Sequence, residues 1–262
     1  VQMCARGDNS TPMKGDLGET IVSTPLTTAE RQRLEGYLAW RWRAPYFVNL
    51  PGSHPYVMGP PDQNGAVIPQ PAEFARFLNY VTQAGAAGGI TTRPMDTSGA
   101  TLLIVSTPIY GNFTARVTDN YGNEWTPFDA PNQYTSISVS YCLAPITGPA
   151  HTFSVTGTGG TPPALAHAFY TSKPMAFHQR TNAIAQQPGA ITPPGPAIFF
   201  TTCMTDPFVR ALSIDSGFTI VNYATGATAA WHIDPVPAAT NPAWGSTGTR
   251  FATMMLSFIE AP

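Results

Sequence analysis

A mainly β protein, built as an antiparallel two-sheet β-sandwich of jelly-roll type, is what this sequence predicts, and three observations carry the prediction. Proline (27) and glycine (23) make up nearly a fifth of the 262 residues, which disfavours long helices and suits short strands joined by turns. Hydrophobic residues reach 43% while charged residues stop at 11%. Such a chain can bury a core, and it covers its surface with Thr, Ser, Asn and Gly rather than charge. From Gly99 to Pro262 the apolar positions recur with period two, in about ten strand-like stretches punctuated by Gly-Asn, Pro-Gly and Pro-Pro turns.

The elements follow in order. Residues 15–23 (GDLGETIVS) read as one strand, with Leu17, Ile21 and Val22 as its apolar positions. Thr27 opens a helix, because the Thr27-x-x-Glu30 spacing is a capping box in which hydroxyl and carboxylate each satisfy an unpaired backbone N–H. Leu34, Tyr37, Leu38 and Trp42 then recur at helical intervals as one apolar stripe, and a lone amphipathic helix of this length needs a surface to dock on. The Pro-rich run from Leu50 to Tyr56 and Gly59-Pro60-Pro61 allow only extended chain and turns. Residues 61–98 read as a Pro/Gly/Ala-rich linker with a short helix over Pro71 to Tyr80, where Phe74, Phe77 and Leu78 share one side. The sandwich is expected over residues 99–262. In it Ser136 to Leu143 alternates cleanly, with Ile137, Val139, Tyr141 and Leu143 on one face and Ser136, Ser138, Ser140 and Cys142 on the other, the pattern of a strand with one buried face. Thr152 to Thr156 alternates in the same way. Leu102 to Val105, Ile198 to Phe200 and Met254 to Ile259 are continuously apolar and belong in the middle of sheets. No repeat of fixed period is evident.

Charge and cysteine content narrow the functional classes. The net charge is -2, from 13 basic and 15 acidic residues, and only Lys14 and Lys173 are lysines. There is no basic stripe for a phosphate backbone, so nucleic acid is not an expected partner. No apolar run reaches the roughly 18 residues of a membrane-spanning helix. Cys4, Cys142 and Cys203 have no metal-ligand spacing; buried free thiols are the favoured reading, with a Cys142–Cys203 bridge left open. No cofactor is expected.

The segment GETIVSTPLTTAERQRLEGYLAWRW, followed by LPGSHPY, resembles the C-terminal end of laminin-G/concanavalin-like jelly-roll domains of phage tail and virion proteins and of secreted bacterial proteins. Glu30, Arg31, Gln32, Glu35, Gly36, Tyr37, Leu38, Ala39, Trp42 and His54-Pro55-Tyr56 carry the likeness. Arg43 stands where that signature has a glycine. The resemblance implies that residues 1–60 are the last strand and helix of a laminin-G-like module whose beginning lies upstream of Val1. Residues 99–262 are similar, more loosely, to a β-sandwich module of phage virion and bacterial surface proteins, through Thr118 to Thr126 (TDNYGNEWT), Tyr141-Cys142, His151 to Gly157 (HTFSVTG) and Ile214 to Thr219 (IDSGFT).

Candidate site residues are few. Flat rings stack on sugar faces, so Trp244, Tyr121, Trp125 and Tyr134, with Trp231 beside them, are the glycan-binding candidates; Trp244, in the loop-like Asn241 to Gly245, leads because core packing explains most sandwich aromatics. Asp119, Asn123 and Glu124 offer hard oxygen ligands for calcium, although Asp119 to Asn123 is turn chemistry first, with Gly122 or Asn123 at positive φ. His151, His167, His178 and His232 lack any metal or catalytic spacing. Asp206, Asp215 and Asp234 are the carboxylates from which a glycosidase pair would have to come. Arg6-Gly7-Asp8 matches an integrin tripeptide without supporting context. With no nucleophile elbow, phosphate loop or dinucleotide fingerprint in the chain, the expectation is a non-enzymatic phage virion surface protein, a tail-fibre, spike or head-decoration component located at the virion surface. It would serve adhesion or particle assembly, with other virion proteins, a preceding domain or a host cell-surface glycan as partners, in a homo-oligomer, a trimer by class. The alternative is a secreted, extracellular bacterial carbohydrate-binding module.

Overall fold

The computed structural model describes residues 27–32, 34, 74–85, 88–111, 114–130, 135–157, 163–206, 213–222, 227–236, 238–248 and 250–262. The chain divides into two compact units, Val1–Ala72 and Glu73–Pro262. In the first, residues 28–32 and 34 are helical and the capping box forms as the sequence predicts. Thr27 N donates to Glu30 Oε2 at 2.9 Å, and Glu30 N donates back to Thr27 Oγ1 at 3.3 Å. The Thr27 hydroxyl, also bonded to that carboxylate, holds Glu30 below the usual carboxylate range. Leu34 is half-buried; Tyr37, Leu38, Trp42, the strand over 15–23 and the Arg6-Gly7-Asp8 tripeptide lie outside the described residues.

The second unit is an antiparallel sandwich. One five-stranded sheet holds β1 (Ala75–Gln83), β3 (Leu102–Tyr110), β5 (Thr126–Ala130), β6 (Thr135–Leu143) and β8 (Ala164–Thr171), in the order β1-β8-β3-β6-β5. The other holds β9 (Met175–Ala183), β10 (Ala197–Asp206), β12 (Thr219–Asn222), β13 (Ala227–Asp234) and β15 (Arg250–Glu260), in the order β12-β13-β10-β15-β9. Three short strands, β2 (Ile90–Thr91), β4 (Ala115–Asp119) and β7 (Phe153–Gly157), form a small sheet, and β11 (Ser213–Ile214) pairs with β14 (Trp244–Gly245).

Three apolar clusters stack these pieces into four layers. Leu102, Ile104, Ile137, Val139, Leu165 and Phe169 meet Ile198, Phe200, Met254, Leu256 and Phe258 between the two large sheets. Leu103, Val105, Val117, Cys142, Phe153 and Val155 join the first large sheet to the small one outside it. Phe199, Cys203, Phe218, Trp244 and Met255 do the same for the second. Central strands are therefore buried on both faces. Ser136, Ser138 and Ser140, expected to face solvent, are at most 1% exposed, because the β4 layer covers them. Ser138 Oγ accepts from Ala115 N at 3.0 Å and donates to Asp129 Oδ1, so the buried hydroxyl is satisfied rather than orphaned.

Two expectations need correction. The short helix over Pro71 to Tyr80 is strand β1 from Ala75 onward, and the sandwich starts near Glu73 rather than at Gly99. A bulge explains the misreading. Phe77 pairs with Phe169 and Asn79 with Ala168, leaving Leu78 as the extra residue. Such an insertion breaks the period of two and leaves Phe74, Phe77 and Leu78 at spacings that mimic a helix face.

The two large sheets are copies of one topology. Counted within each half, both follow the strand order first, fifth, second, fourth, third. The registers coincide as well. Leu102 pairs with Phe169 and Leu143, and Ile198 pairs with Phe258 and Ile233; Thr126 pairs with Tyr141, and Thr219 pairs with Trp231. The bulge at Leu78 recurs at His178 in β9, where Ser257 pairs with Gln179 and Phe258 with Phe177. Even the ring geometry repeats: Phe77 stacks on Trp231 (4.8 Å, 15°) and sits edge-on to Phe169, while Phe177 stacks on Tyr141 (5.6 Å, 17°) and sits edge-on to Phe258. Equivalent strands begin at Ala75 and Met175, Leu102 and Ala197, Thr135 and Ala227, Ala164 and Arg250, an offset that shortens along the chain and so hides from a search for a fixed period.

Cys142 and Cys203 are free and buried. They face opposite outer layers, beyond the Cα separation of about 7 Å that a disulfide spans, since packed sheets alone stand about 10 Å apart. Burial pushes the Cys142 thiol up to about 11, with the charges of Asp119 and Glu124 adding to it, and burial pushes Cys203 up to about 12. Native protein at pH 8 is expected to leave both thiols unlabelled by iodoacetamide over an hour, with full labelling after denaturation, as read by peptide mass mapping. Fast native labelling of either would contradict the layer assignment.

Candidate functional site

The polar segment Thr118 to Thr126 forms the turn between β4 and β5. Its centre is Asp119, whose carboxylate accepts from Tyr121 N (2.8 Å), Asn123 N (3.2 Å) and Trp125 Nε1 (2.7 Å). Gly122, at φ 75°, reverses the chain, as Gly217 at φ 74° does in the equivalent turn of the other half. Two asparagines then mimic strand pairing: Asn120 brackets Ala150 O and Thr152 N, and Asn123 brackets Ile146 N and O. Burial alone would raise Asp119, yet its N–H donors outweigh that and hold it below the usual carboxylate range.

Behind the turn, His151 lies 3.5 Å from Asp119 through Nε2 and 2.9 Å from Thr97 Oγ1 through Nδ1. A hydroxyl, an imidazole and a carboxylate in series are the parts of a nucleophilic relay. Here they are interior: the side chains of His151 and Asp119 are 0% exposed, and Thr97 is equally buried. Thr97 Oγ1 is also bonded to Gly148 O and N. Burial lowers His151 although the Asp119 charge opposes the shift, so the ring is neutral at pH 7. The chain of bonds ties the Asp96 to Gly99 turn to the Gly148 to His151 turn.

The calcium reading loses two of its three ligands to this arrangement, because the Asp119 carboxylate and the Asn123 amide are engaged by backbone and indole groups, leaving the exposed Glu124. Among the described residues no group of three or more His, Cys, Asp or Glu is placed to hold a metal. The aromatic platform does not assemble either. Trp244, the leading candidate, is 1% exposed under the outer face of the second sheet; it sits opposite Ile214 as Phe153 sits opposite Asp119. Trp125 is half-buried with its edge against Phe153, Trp231 stacks within the inter-sheet core, and Tyr121 packs edge-on against His151. Tyr134 lies outside the described residues. The candidate carboxylates are dispersed: Asp234 pairs with Ala197 at one end of β10 and Asp206 ends the other, roughly 30 Å away, and Asp215 caps Ala243 N.

Among the described residues a shallow groove of about 310 Å³ lies beside β1, the edge strand of its sheet, lined by Asn79, Tyr80, Val81, Arg93, Met95 and Asp96 among others. It was not legible in the sequence, because residues 93–96 read as linker. Its floor is fixed by backbone exchange between Met95 and His151 and by Asn79 Nδ2 donating to Asp96 O. Asp96 Oδ1 accepts from Ser98 N, Tyr80 is 45% exposed, and Arg93 is exposed. Among the described basic residues of this unit the others are engaged: Arg76 over Tyr170, Arg116 with Asp129, Lys173 with Glu260, Arg180 over Phe128 and Arg250 with Asp206. Arg93 alone has no such partner.

Comparison with protein-family models, with curated proteins and with solved structures finds no match for this chain.

Proposed function

We propose that the chain is a non-enzymatic surface protein of phage virions, whose sandwich serves adhesion by holding a host-surface carbohydrate in the groove beside β1. The observation that carries this reading is the contrast between a polar interior in which hydroxyls and carboxylates are largely engaged by backbone, and one groove where an unpartnered guanidinium and an exposed carboxylate share a wall with a half-exposed tyrosine. Carbohydrate sites combine a few fixed polar groups with an aromatic face in this way. The low-charge Thr/Ser/Asn-rich composition and the laminin-G-like signature at residues 15–60 support a particle-surface location, and the relay at Thr97, His151 and Asp119 supports no reaction because substrate has no path to it. A secreted bacterial carbohydrate-binding module uses the same groove, and location separates the two. Immunogold electron microscopy of purified particles with a glycan array of the full chain tests the proposal: particle labelling and specific array hits are expected, and an unlabelled particle or an array at background would sink it.

A further inference from the structure

We infer that the ligand of the β1 groove carries a carboxylate, as an acidic sugar does, and that Arg93 is the residue that reads it. This deepens the carbohydrate reading above and rests on it. The duplication supplies an internal control. Met95 exchanges backbone hydrogen bonds with His151 in one half as Ile191 does with Thr240 in the other, which makes Arg93 equivalent to Gly189 and Asp96 to Thr192. At Gly189 the chain lies flat on β9: an added Cβ would meet Thr181 Cβ at 3.3 Å, and Thr181 Oγ1 donates to Gly189 O at 3.1 Å. The corresponding place in the first half bears a charged side chain on each side of the bridge. One topology thus exists in two versions, closed by small residues in one half and opened into a groove with Arg93 and Asp96 in the other.

Packing does not account for Arg93, since it is exposed and touches no ring or carboxylate. A guanidinium suits a planar carboxylate, which it binds with two parallel N–H donors. Asp96, with one oxygen committed to Ser98 N, leaves the other to accept from a sugar hydroxyl. A phosphate monoester, with nearly two charges, would be repelled by Asp96 more strongly than a single carboxylate charge, so the pair favours a uronic or sialic acid over a phosphorylated sugar.

The test is titration of the full chain, by calorimetry or by NMR shifts, with glucuronate- and N-acetylneuraminate-terminated oligosaccharides, their neutral counterparts, and acetate. Acidic sugars are expected to bind at least tenfold more tightly than neutral ones, with acetate far weaker than either. Arg93→Ala should erase the preference, Arg93→Lys should restore only part of it, and Arg180→Ala, which removes a cation outside the groove, should leave it unchanged. Equal binding of neutral and acidic sugars, or a preference indifferent to Arg93→Ala, overturns the inference while the carbohydrate reading stands. Binding of no sugar at all removes that reading itself.

Discussion

Trp244→Ala is expected to unfold the protein before it affects any ligand. Trp244 is among the largest fully buried side chains, in the cluster formed with Ile191, Phe199, Phe218 and Met255 under the second large sheet. Truncating a buried tryptophan costs about 3 to 5 kcal/mol in lost transfer energy and residual cavity. At roughly 2 to 4 °C per kcal/mol for a unit of this size, the melting temperature should fall by about 6 to 20 °C. Trp244→Phe should cost far less, because the equivalent position in the other half is Phe153 and because the Trp244 Nε1 has no hydrogen-bond partner to lose. Phe153→Ala should resemble Trp244→Ala. Denaturant unfolding of the three variants decides the point. A Trp244→Ala protein as stable as the parent, with altered carbohydrate affinity, would return this residue to the surface role that its Pro/Gly-rich surroundings suggest.

That case shows how composition misleads about a loop. Asn241 to Gly245 reads as exposed because prolines and glycines flank the ring, yet the two-residue strand β14 is enough to hold it over the sheet. The class of fold was legible for a simpler reason: period-two alternation in Thr135–Leu143 and Phe153–Gly157 comes from the pleat itself and survives whatever covers the second face. What covers that face was not legible. Ser136, Ser138 and Ser140 look like a solvent face in sequence, and only the packing of β4, an earlier strand of the same half, turns them inward. The duplication escaped for a related reason. Its conserved features are registers, bulges and ring contacts, such as Phe77 on Trp231 and Phe177 on Tyr141, whereas the loops that set sequence spacing differ between halves. The paired turns at Asp119 and Asp215, each closed by a positive-φ glycine before an aromatic and a threonine, were the signal that could have exposed it.

The groove was hidden because its residues come from segments without periodicity. Arg93, Pro94 and Asp96 carry no motif, and Asn79 sits just past a bulge. Their significance depends on which cations elsewhere are neutralised, a property of pairs such as Arg250 with Asp206 that single-sequence reading cannot assign. The sandwich core, by contrast, is a property of each strand's own pattern.

His167→Leu is expected to stabilise the protein and to remove much of its acid sensitivity. His167 lies in β8 on the inter-sheet face, 0% exposed, with Phe200 edge-on at 5.0 Å and no hydrogen-bond partner at either ring nitrogen. The equivalent residue in the other half is Leu256, which pairs with Phe200 as His167 pairs with Ile104. Two unpaired polar nitrogens in an apolar layer cost about 1 to 3 kcal/mol at neutral pH, so leucine should gain about that much. Burial also drives the His167 pKa from 6.5 down to about 3, against a weaker upward pull from the Leu165 backbone, whose geometry falls short of a hydrogen bond. The unfolded chain therefore binds a proton below pH 6.5 that the folded chain refuses, and stability falls as pH drops from 6.5 towards 3. The full loss for this one group is of order 5 kcal/mol, from about 1.4 kcal/mol per pH unit. Above pH 6.5 the ring is neutral in both states and pH has no further effect through it. Urea unfolding of parent and His167→Leu at pH 7, 5.5 and 4 isolates the term, since every other titrating group is common to both. The gap between them should widen steadily as the pH falls, and a gap constant across that range would mean that the ring reaches water or a partner in the folded state.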